Sequence, residues 1–230
     1  MTERLLVKGK TKDLYDIGNG QYKLYFKDDM TGENGVFDPG ANQVGLTVNG
    51  AGQAGLALSI YFFEMLNASG YNTHYISAAL SQRTMVVKGA TPLGTNGLEF
   101  VCRYVAMGSF IRRYGSIVEE GRALPAVVEV TIKSDIGGDP LINQDSLEAL
   151  GVLNPGEYET LATLTKQTSN LIKNALATKG LELCDIKLEF GRDTSGKLMI
   201  IDEFSGGNMR VRNGNEYVPP LELAQLVTGS

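Results

Sequence analysis

The sequence predicts an α+β chain of two lobes with a cleft between them, and three observations lead there. The first hundred or so residues read as short strands broken by turns, with one apolar helical segment among them. A Gly/Thr-rich stretch at Pro92, TPLGTNG, then joins two strand-like runs and reads as a hinge. Beyond it a long amphipathic helix precedes two charged strands, LCDIKLEFG (residues 183–191) and LMIIDEF (residues 198–204). The expected division is a β-rich lobe over residues 1–92 and an α+β lobe over 93–230.

Taken in order, Lys8-Gly9-Lys10-Thr11-Lys12-Asp13-Leu14-Tyr15 comes first. Alternating lysines on a strand share one face, which suits a polyphosphate; the same pattern also protects a solvated edge strand. It is not a Walker A loop, because G-x-x-x-x-G-K-[ST] is absent. Residues 22–26 (YKLYF) alternate as a strand does. Leu56, Ile60, Phe63, Leu66 and Asn67 keep helical spacing, and Gly70 is a good C-cap. His74 is the only histidine, so Ser-His or Cys-His catalysis has thin support and a structural role is expected. Residues 84–88 (TMVVK) form the last strand before the hinge.

After the hinge, residues 99–105 (EFVCRYV) are a strand carrying Arg103, and Gly108-Ser109 opens a short basic helix. Helix amides, a Ser hydroxyl and an Arg together bind anions; an N-cap Ser beside unrelated arginines reads equally well. Residues 127–133 (VVEVTIK) are another strand. The following KSDIGGDP sets Lys133, Asp135 and Asp139 at its end, as a polar site or merely a polar turn. Asn154-Pro155 opens a helix through residue 179, with Leu161, Leu164, Leu171, Ala175 and Leu176 on one face and Gly180 ending it.

The two closing strands flank a Thr-Ser-Gly turn. A turn centred on Thr194 and Ser195 places Lys187 opposite Asp202 and Glu189 opposite Ile200. Asp185, Lys187, Glu189 and Asp202 then share one face. Glu189 and Asp202 become diagonal neighbours at roughly 7–8 Å, close enough to share Mg²⁺ with phosphate oxygens. The alternative is a solvated face with a Lys187–Asp202 ion pair.

A net charge of −5 lacks the electrostatic footprint of a nucleic-acid binder. Cys102 and Cys184 lie in apolar runs without metal spacing, so buried free thiols and a cytoplasmic location are expected. No apolar run reaches the ~18 residues of a membrane span, and no membrane partner is expected.

In this order, GKTKDLY, Arg103 with Gly108-Ser109, KSDIGGDP, DIKLEFG and DEFS with Arg210 resemble the SAICAR synthetase (phosphoribosylaminoimidazole-succinocarboxamide synthase) family. Asp185-Ile186-Lys187-Leu188-Glu189-Phe190-Gly191 matches that family's D-x-K-x-E-F-G without change. The resemblance implies a two-lobed fold similar to protein kinases and ATP-grasp enzymes, with ATP in the cleft. It implies a ligase joining a ribotide carboxylate to the amine of L-aspartate, with ATP and Mg²⁺. By resemblance Lys10, Lys12 and Lys88 hold the ATP phosphates, and the adenine lies by the segment ending at Glu99. Glu189 and Asp202 hold Mg²⁺. Arg103, Ser109, Ser205 and Arg210 bind the ribotide, and Lys187 and Asp135 lie near the reacting carboxylate. Members are often dimeric or larger, so a second copy is among the expected partners.

Departures keep two alternatives open. Gly206-Gly207 stands where the family has Pro-Asp, and Arg103-Tyr104 where it has Arg-Asn. A paralogue acting on another acid–amine pair would vary there. A nucleotide-binding pseudoenzyme would not need both Glu189 and Asp202.

Overall fold

The structure, a computed structural model, describes residues 3–41, 43–134 and 138–229. In chain order it runs β1 (Arg4–Lys8), β2 (Lys12–Gly18), β3 (Gln21–Phe26), β4 (Asp29–Glu33), β5 (Val36–Phe37), β6 (Val44–Thr47), α1 (Ala51–Ala68), β7 (Tyr75–Ala79) and β8 (Thr84–Lys88). It continues with β9 (Thr91–Pro92), β10 (Leu98–Val105), α2 (Ser109–Tyr114), β11 (Ala123–Ile132), α3 (Gln144–Ala149) and α4 (Glu157–Ala177). The last elements are β12 (Glu182–Arg192), β13 (Leu198–Ile201), β14 (Met209–Asn213), β15 (Glu216–Tyr217) and α5 (Pro220–Thr228). The chain divides into two compact units, Met1–Thr91 with Gly191–Asn208 and Pro219–Ser230, and Pro92–Phe190 with Met209–Val218.

The first unit holds an antiparallel sheet in the order β1-β2-β3-β8-β7 and a smaller one in the order β5-β4-β6. The expected helix is α1, apolar on nearly all sides because it is buried on several. Leu56, Leu58, Phe62, Phe63 and Leu66 are fully buried, and α1 packs against α5. Gly52 is required where α1 meets the chain: a Cβ there would lie 2.6 Å from the Phe26 carbonyl oxygen and 2.7 Å from that of Lys27. Phe204 drives its ring edge-on against Phe63 at 4.7 Å and Phe62 at 6.0 Å. Ser59 Oγ donates to the Phe204 carbonyl (3.0 Å) and accepts from its N–H (3.2 Å). These contacts fix the backbone that carries Asp202, Glu203 and Ser205.

The second unit is built on a sheet ordered β11-β10-β12-β14-β15. Phe100 and Phe190 meet edge to face at 5.3 Å in its core. Helix α4 packs on β10 and β11, and its inward stripe differs from expectation. Leu161, Thr165, Thr168, Ser169, Ile172 and Leu176 are buried, whereas Leu164, Leu171 and Ala175 are only half-buried. Small hydroxyl residues let the helix approach the sheet closely, and Thr165 satisfies its own Oγ1 on the Leu161 carbonyl at 2.7 Å. Apolarity found Leu161 and Leu176, both fully buried, but missed the hydroxyl residues between them.

Cys102 and Cys184 are fully buried free thiols. Burial pushes both up, Cys184 to about 12. Native protein should therefore leave Ellman's reagent unreacted at pH 8, and denatured protein should release two equivalents. Rapid labelling of either thiol without denaturant would contradict this burial.

The turn after β12 closes differently from expectation. Asp193 N–H donates to the Lys197 carbonyl (3.0 Å) and Gly196 N–H to the Asp193 carbonyl (2.9 Å). The Asp193 carboxylate gathers the Ser195 N–H (2.8 Å), the Ser195 hydroxyl (2.6 Å) and the Lys197 N–H (3.0 Å). This self-bonded turn is one residue longer than one centred on Thr194 and Ser195, and it slips the register. β13 ends at Ile201, and Asp202 adopts a left-handed φ of 71°. Strand alternation therefore does not extend to Asp202. Instead β13 is tied to residues 72–74: Ile200 N–H donates to the Asn72 carbonyl (2.9 Å) and His74 N–H to the Ile200 carbonyl (3.0 Å).

Candidate active site

Charged groups collect in two places, one in each unit. In the first unit, the lysines of Lys8-Gly9-Lys10-Thr11-Lys12 do not share one strand face. Lys8 ends β1, Lys12 begins β2, and the residues between make a tight turn. Gly9 N–H donates to the Lys12 carbonyl at 3.0 Å, and a Cβ on Gly9 would lie 2.3 Å from that oxygen, so only glycine closes the turn. Lys10 is exposed at the turn, while the Lys12 side chain is largely buried. Lys12 Nζ lies 3.1 Å from Asp202 Oδ1 and 2.8 Å from Glu203 Oε1.

His74 stands beside these carboxylates. Its Nε2 lies 3.0 Å from the Asp202 carbonyl oxygen, so the neutral ring carries its proton on Nε2 and donates it there. Burial pulls its pKa from 6.5 down to about 4. Unfolded His74 binds a proton near pH 6.5 while the folded ring stays neutral, so protons favour the unfolded chain in this window. Stability should fall as pH drops, by about 2 kcal/mol between pH 6.5 and 5, measured as urea unfolding free energy. A His74→Gln protein should lose that slope; an equal slope in both would contradict the assignment. Lys88 ends β8 and donates to the Thr73 carbonyl at 3.1 Å.

The turn after Glu203 is held from within. Ser205 N–H donates to Asn208 Oδ1 (2.8 Å), Gly207 N–H donates to Ser205 Oγ (3.0 Å), and the Asn208 amide donates to the Glu203 carbonyl. Gly206 is demanded by packing: a Cβ there would lie 2.5 Å from Pro220 Cβ and 2.6 Å from its Cα. Gly206 thus follows from a close approach to α5, whereas a Cβ on Gly207 would meet only Ser205 Oγ, at 3.2 Å.

In the second unit, register brings the charges of β10, β12 and β14 together. Glu99 pairs with Glu189, Val101 with Lys187, Arg103 with Asp185, and Asp185 with Arg210. Two carboxylates directly opposite repel, and lysines offset this. Lys187 Nζ reaches Glu99 Oε1 (3.2 Å) and Glu189 Oε1 (3.0 Å), and Lys133 Nζ reaches both Glu189 oxygens (3.0 and 3.1 Å). Thr131 Oγ1 donates to Glu99 Oε2 at 3.1 Å.

Next to them, the buried Arg103 guanidinium donates Nε to Glu129 Oε2 (2.6 Å), Nη1 to Asp185 Oδ2 (3.0 Å) and Nη2 to Ser109 Oγ (2.8 Å). Arg210 Nη1 shares Asp185 Oδ2 at 2.8 Å. Gly108, at φ 57°, makes room for this: a Cβ would lie 2.7 Å from Arg210 Cζ. Arginines fixed by carboxylates, at the start of a helix and next to Ser109, form an anion-binding constellation.

A family model for SAICAR synthetase matches residues 5–223. The chain belongs to the SAICAR synthetase family. Among curated proteins it is 53% identical over 224 residues to the phosphoribosylaminoimidazole-succinocarboxamide synthase of Clostridium tetani, covering 97% of this chain and 98% of that one. Among solved structures it resembles a type-2 SAICAR synthetase in complex with ADP, at a TM-score of 0.84 and 28% identity, over 97% of both chains. The type-1 SAICAR synthetase of Pyrococcus horikoshii gives a TM-score of 0.81 at 28% identity, over 95% of this chain and 98% of that one.

For a SAICAR synthetase, the expected residues fall as follows. Arg103, Ser109 and Arg210 gather around Asp185, and Lys187 joins Glu189. Glu99, expected at the nucleotide, turns its carboxylate to Lys187 and Thr131. Ser205 spends its hydroxyl on the Gly207 N–H. Asp135 lies outside the described residues. The sequence reading passed over Glu129, Glu203, Thr131 and the pairing role of Lys133. A signal for Glu129 was present: a lone Glu inside the β-branched run VVEVTIK needs a buried cation.

The carboxylates expected to hold Mg²⁺ are suited to it. Glu189 already has two ammonium groups within 3.1 Å, and Lys12 sits between Asp202 and Glu203. Each is a hard oxygen donor, at present neutralised by lysine ammonium groups that Mg²⁺ would share it with or displace. Among the described residues no three His, Cys, Asp or Glu side chains form a ready cage. Mg²⁺ bound by one or two carboxylates plus phosphate oxygens needs none.

Proposed function

We propose that the protein joins the carboxylate of carboxyaminoimidazole ribotide to the amine of L-aspartate, cleaving ATP to ADP and phosphate and giving SAICAR through an acyl phosphate. The observation that carries this reading is the face of β12, where Asp185, Lys187 and Glu189 alternate: Asp185 meets Arg103 and Lys187 meets Glu99 on β10, and Glu189 meets Lys187 and Lys133. The 53% identity to a synthase of that name across 98% of its length supports it, and nothing in the comparisons supports another acid–amine pair.

In this reading Lys10, Lys12 and Lys88 contact the ATP phosphates, and Glu189 and Asp202 are the ligands of Mg²⁺. Mg²⁺ would supply neutralisation of charge on the transferred phosphoryl group. Arg103, Ser109 and Arg210 bind the ribotide phosphate, and their burial makes each charge-assisted hydrogen bond stronger than it is in water. Lys187 orients the substrate carboxylate for attack on the γ-phosphate and then stabilises the developing negative charge. Asp135 is assigned, with Lys187, to the neighbourhood of the reacting carboxylate.

The test is ADP release from purified protein given ATP, Mg²⁺, carboxyaminoimidazole ribotide and L-aspartate. Release that needs both organic substrates, with SAICAR formed in equal amount, is the expected result. Turnover only with a different acid–amine pair, or ATP binding without turnover, would overturn it.

A further inference from the structure

We infer that Glu129, on β11 and outside the set of groups that meet substrate, is the positioning residue that aims Arg103. The inference rests on the assignment of Arg103 to the ribotide. Glu129 is 8% exposed, and its Oε2 accepts from Arg103 Nε and from Arg113 Nη2, both at 2.6 Å. A guanidinium has five N–H donors in a rigid plane. Contacts to Glu129, Asp185 and Ser109 take three of them. The two that remain lie on Nη1 and Nη2, one on each. A planar guanidinium held at Nε cannot turn about its stem without breaking that bond, so Glu129 helps set where the remaining donors point.

Asp185 cannot do this alone, because its Oδ2 is shared between Arg103 and Arg210. Arg113 is the second support. It lies on α2, one helical turn after Ser109, and its Nη2 donates to the same Glu129 oxygen as Arg103 Nε. Glu129 Oε1 and Arg113 Nε are both buried without a partner. A small rotation would convert this single contact into a two-bond fork. The ion pair thus has a spare donor and acceptor with which to follow α2 when an anion settles at Ser109.

Positioning and simple electrostatics predict opposite signs. Glu129→Gln removes a negative charge near an anion site. Through the field alone, the anionic ribotide should bind more tightly. Through lost aim of Arg103, it should bind more weakly. The expected result is a rise in KM for the ribotide of roughly tenfold to a hundredfold, with KM for ATP changed by less than about twofold. In an Arg103→Lys background the same Glu129→Gln change should add almost nothing, because Glu129 acts through the fork that is already gone. If the Gln variant fails to fold, Glu129→Asp keeps the charge and withdraws the carboxylate by one methylene, and it should show the same selective rise.

An unchanged or lowered ribotide KM in the folded Gln or Asp protein would overturn the positioning role. So would full additivity with Arg103→Lys. A wild-type protein that does not bind the ribotide by calorimetry would instead remove the functional reading beneath it, so the two failures are separable.

Discussion

Asp202→Asn should lower Mg²⁺-dependent turnover by roughly 10²- to 10³-fold while leaving the unfolding midpoint unchanged. The substitution isolates charge. Asp202 sits at φ 71°, a conformation that Asn tolerates as well as Asp, so the backbone has no reason to move. Its carbonyl still accepts from His74, and Lys12 keeps Glu203 at 2.8 Å. What disappears is one hard anionic donor. The measurement is initial rate against Mg²⁺ concentration, with urea unfolding as the control. Near-normal turnover at the wild-type Mg²⁺ requirement would sink the assignment of Asp202 to the metal.

The second large effect is at Arg103. Arg103→Met leaves the Asp185 and Glu129 carboxylates buried, at 3% and 8% exposure, each with one arginine where it had two: Arg210 on Asp185 and Arg113 on Glu129. Removing one partner of a buried ion pair costs up to about 3–5 kcal/mol, and the arginines that remain offset part of it; the loss is readable as a lowered urea midpoint. Arg103→Lys separates stability from binding. Lysine restores the charge but offers a point ammonium in place of a fork, so it cannot serve Glu129, Asp185 and Ser109 together. Its stability should lie between those of wild type and the Met variant, while KM for the ribotide rises by roughly tenfold or more. A Met variant as stable as wild type would show that the Arg103 cluster contributes no net stability.

The resemblance named Asp202 and Arg103, but the groups that surround them could not be placed from the linear sequence, although much of the frame could. YKLYF, TMVVK and EFVCRYV declared themselves as strands through alternation and β-branching, and they are β3, β8 and β10. The α1 segment was legible from its apolar spacing and Gly70. These are local signals, carried within a few residues. On α4 the local signal misled, because Thr165, Thr168 and Ser169 face the sheet where leucines were expected. Burial there is decided by how closely the sheet approaches, which a polarity pattern does not encode. The turn after β12 slipped by one residue because the Asp193 side chain captured three donors, a competition that strand periodicity ignores.

By itself the sequence determined the order of the longer strands and helices, the D-x-K-x-E-F-G run of β12 and the family. Tertiary structure alone decided which charges meet. Arg103 pairs with Glu129 because β11 lies beside β10, Lys12 with Asp202 and Glu203 because β13 is tied to residues 72–74, and Gly206 is small because Pro220 lies against it. The physical reason is that a charge on a strand can be neutralised from either neighbouring strand or from a loop. The choice is made by strand order and register, which are set by hydrophobic burial across the whole unit and leave no trace in the spacing of the charges themselves.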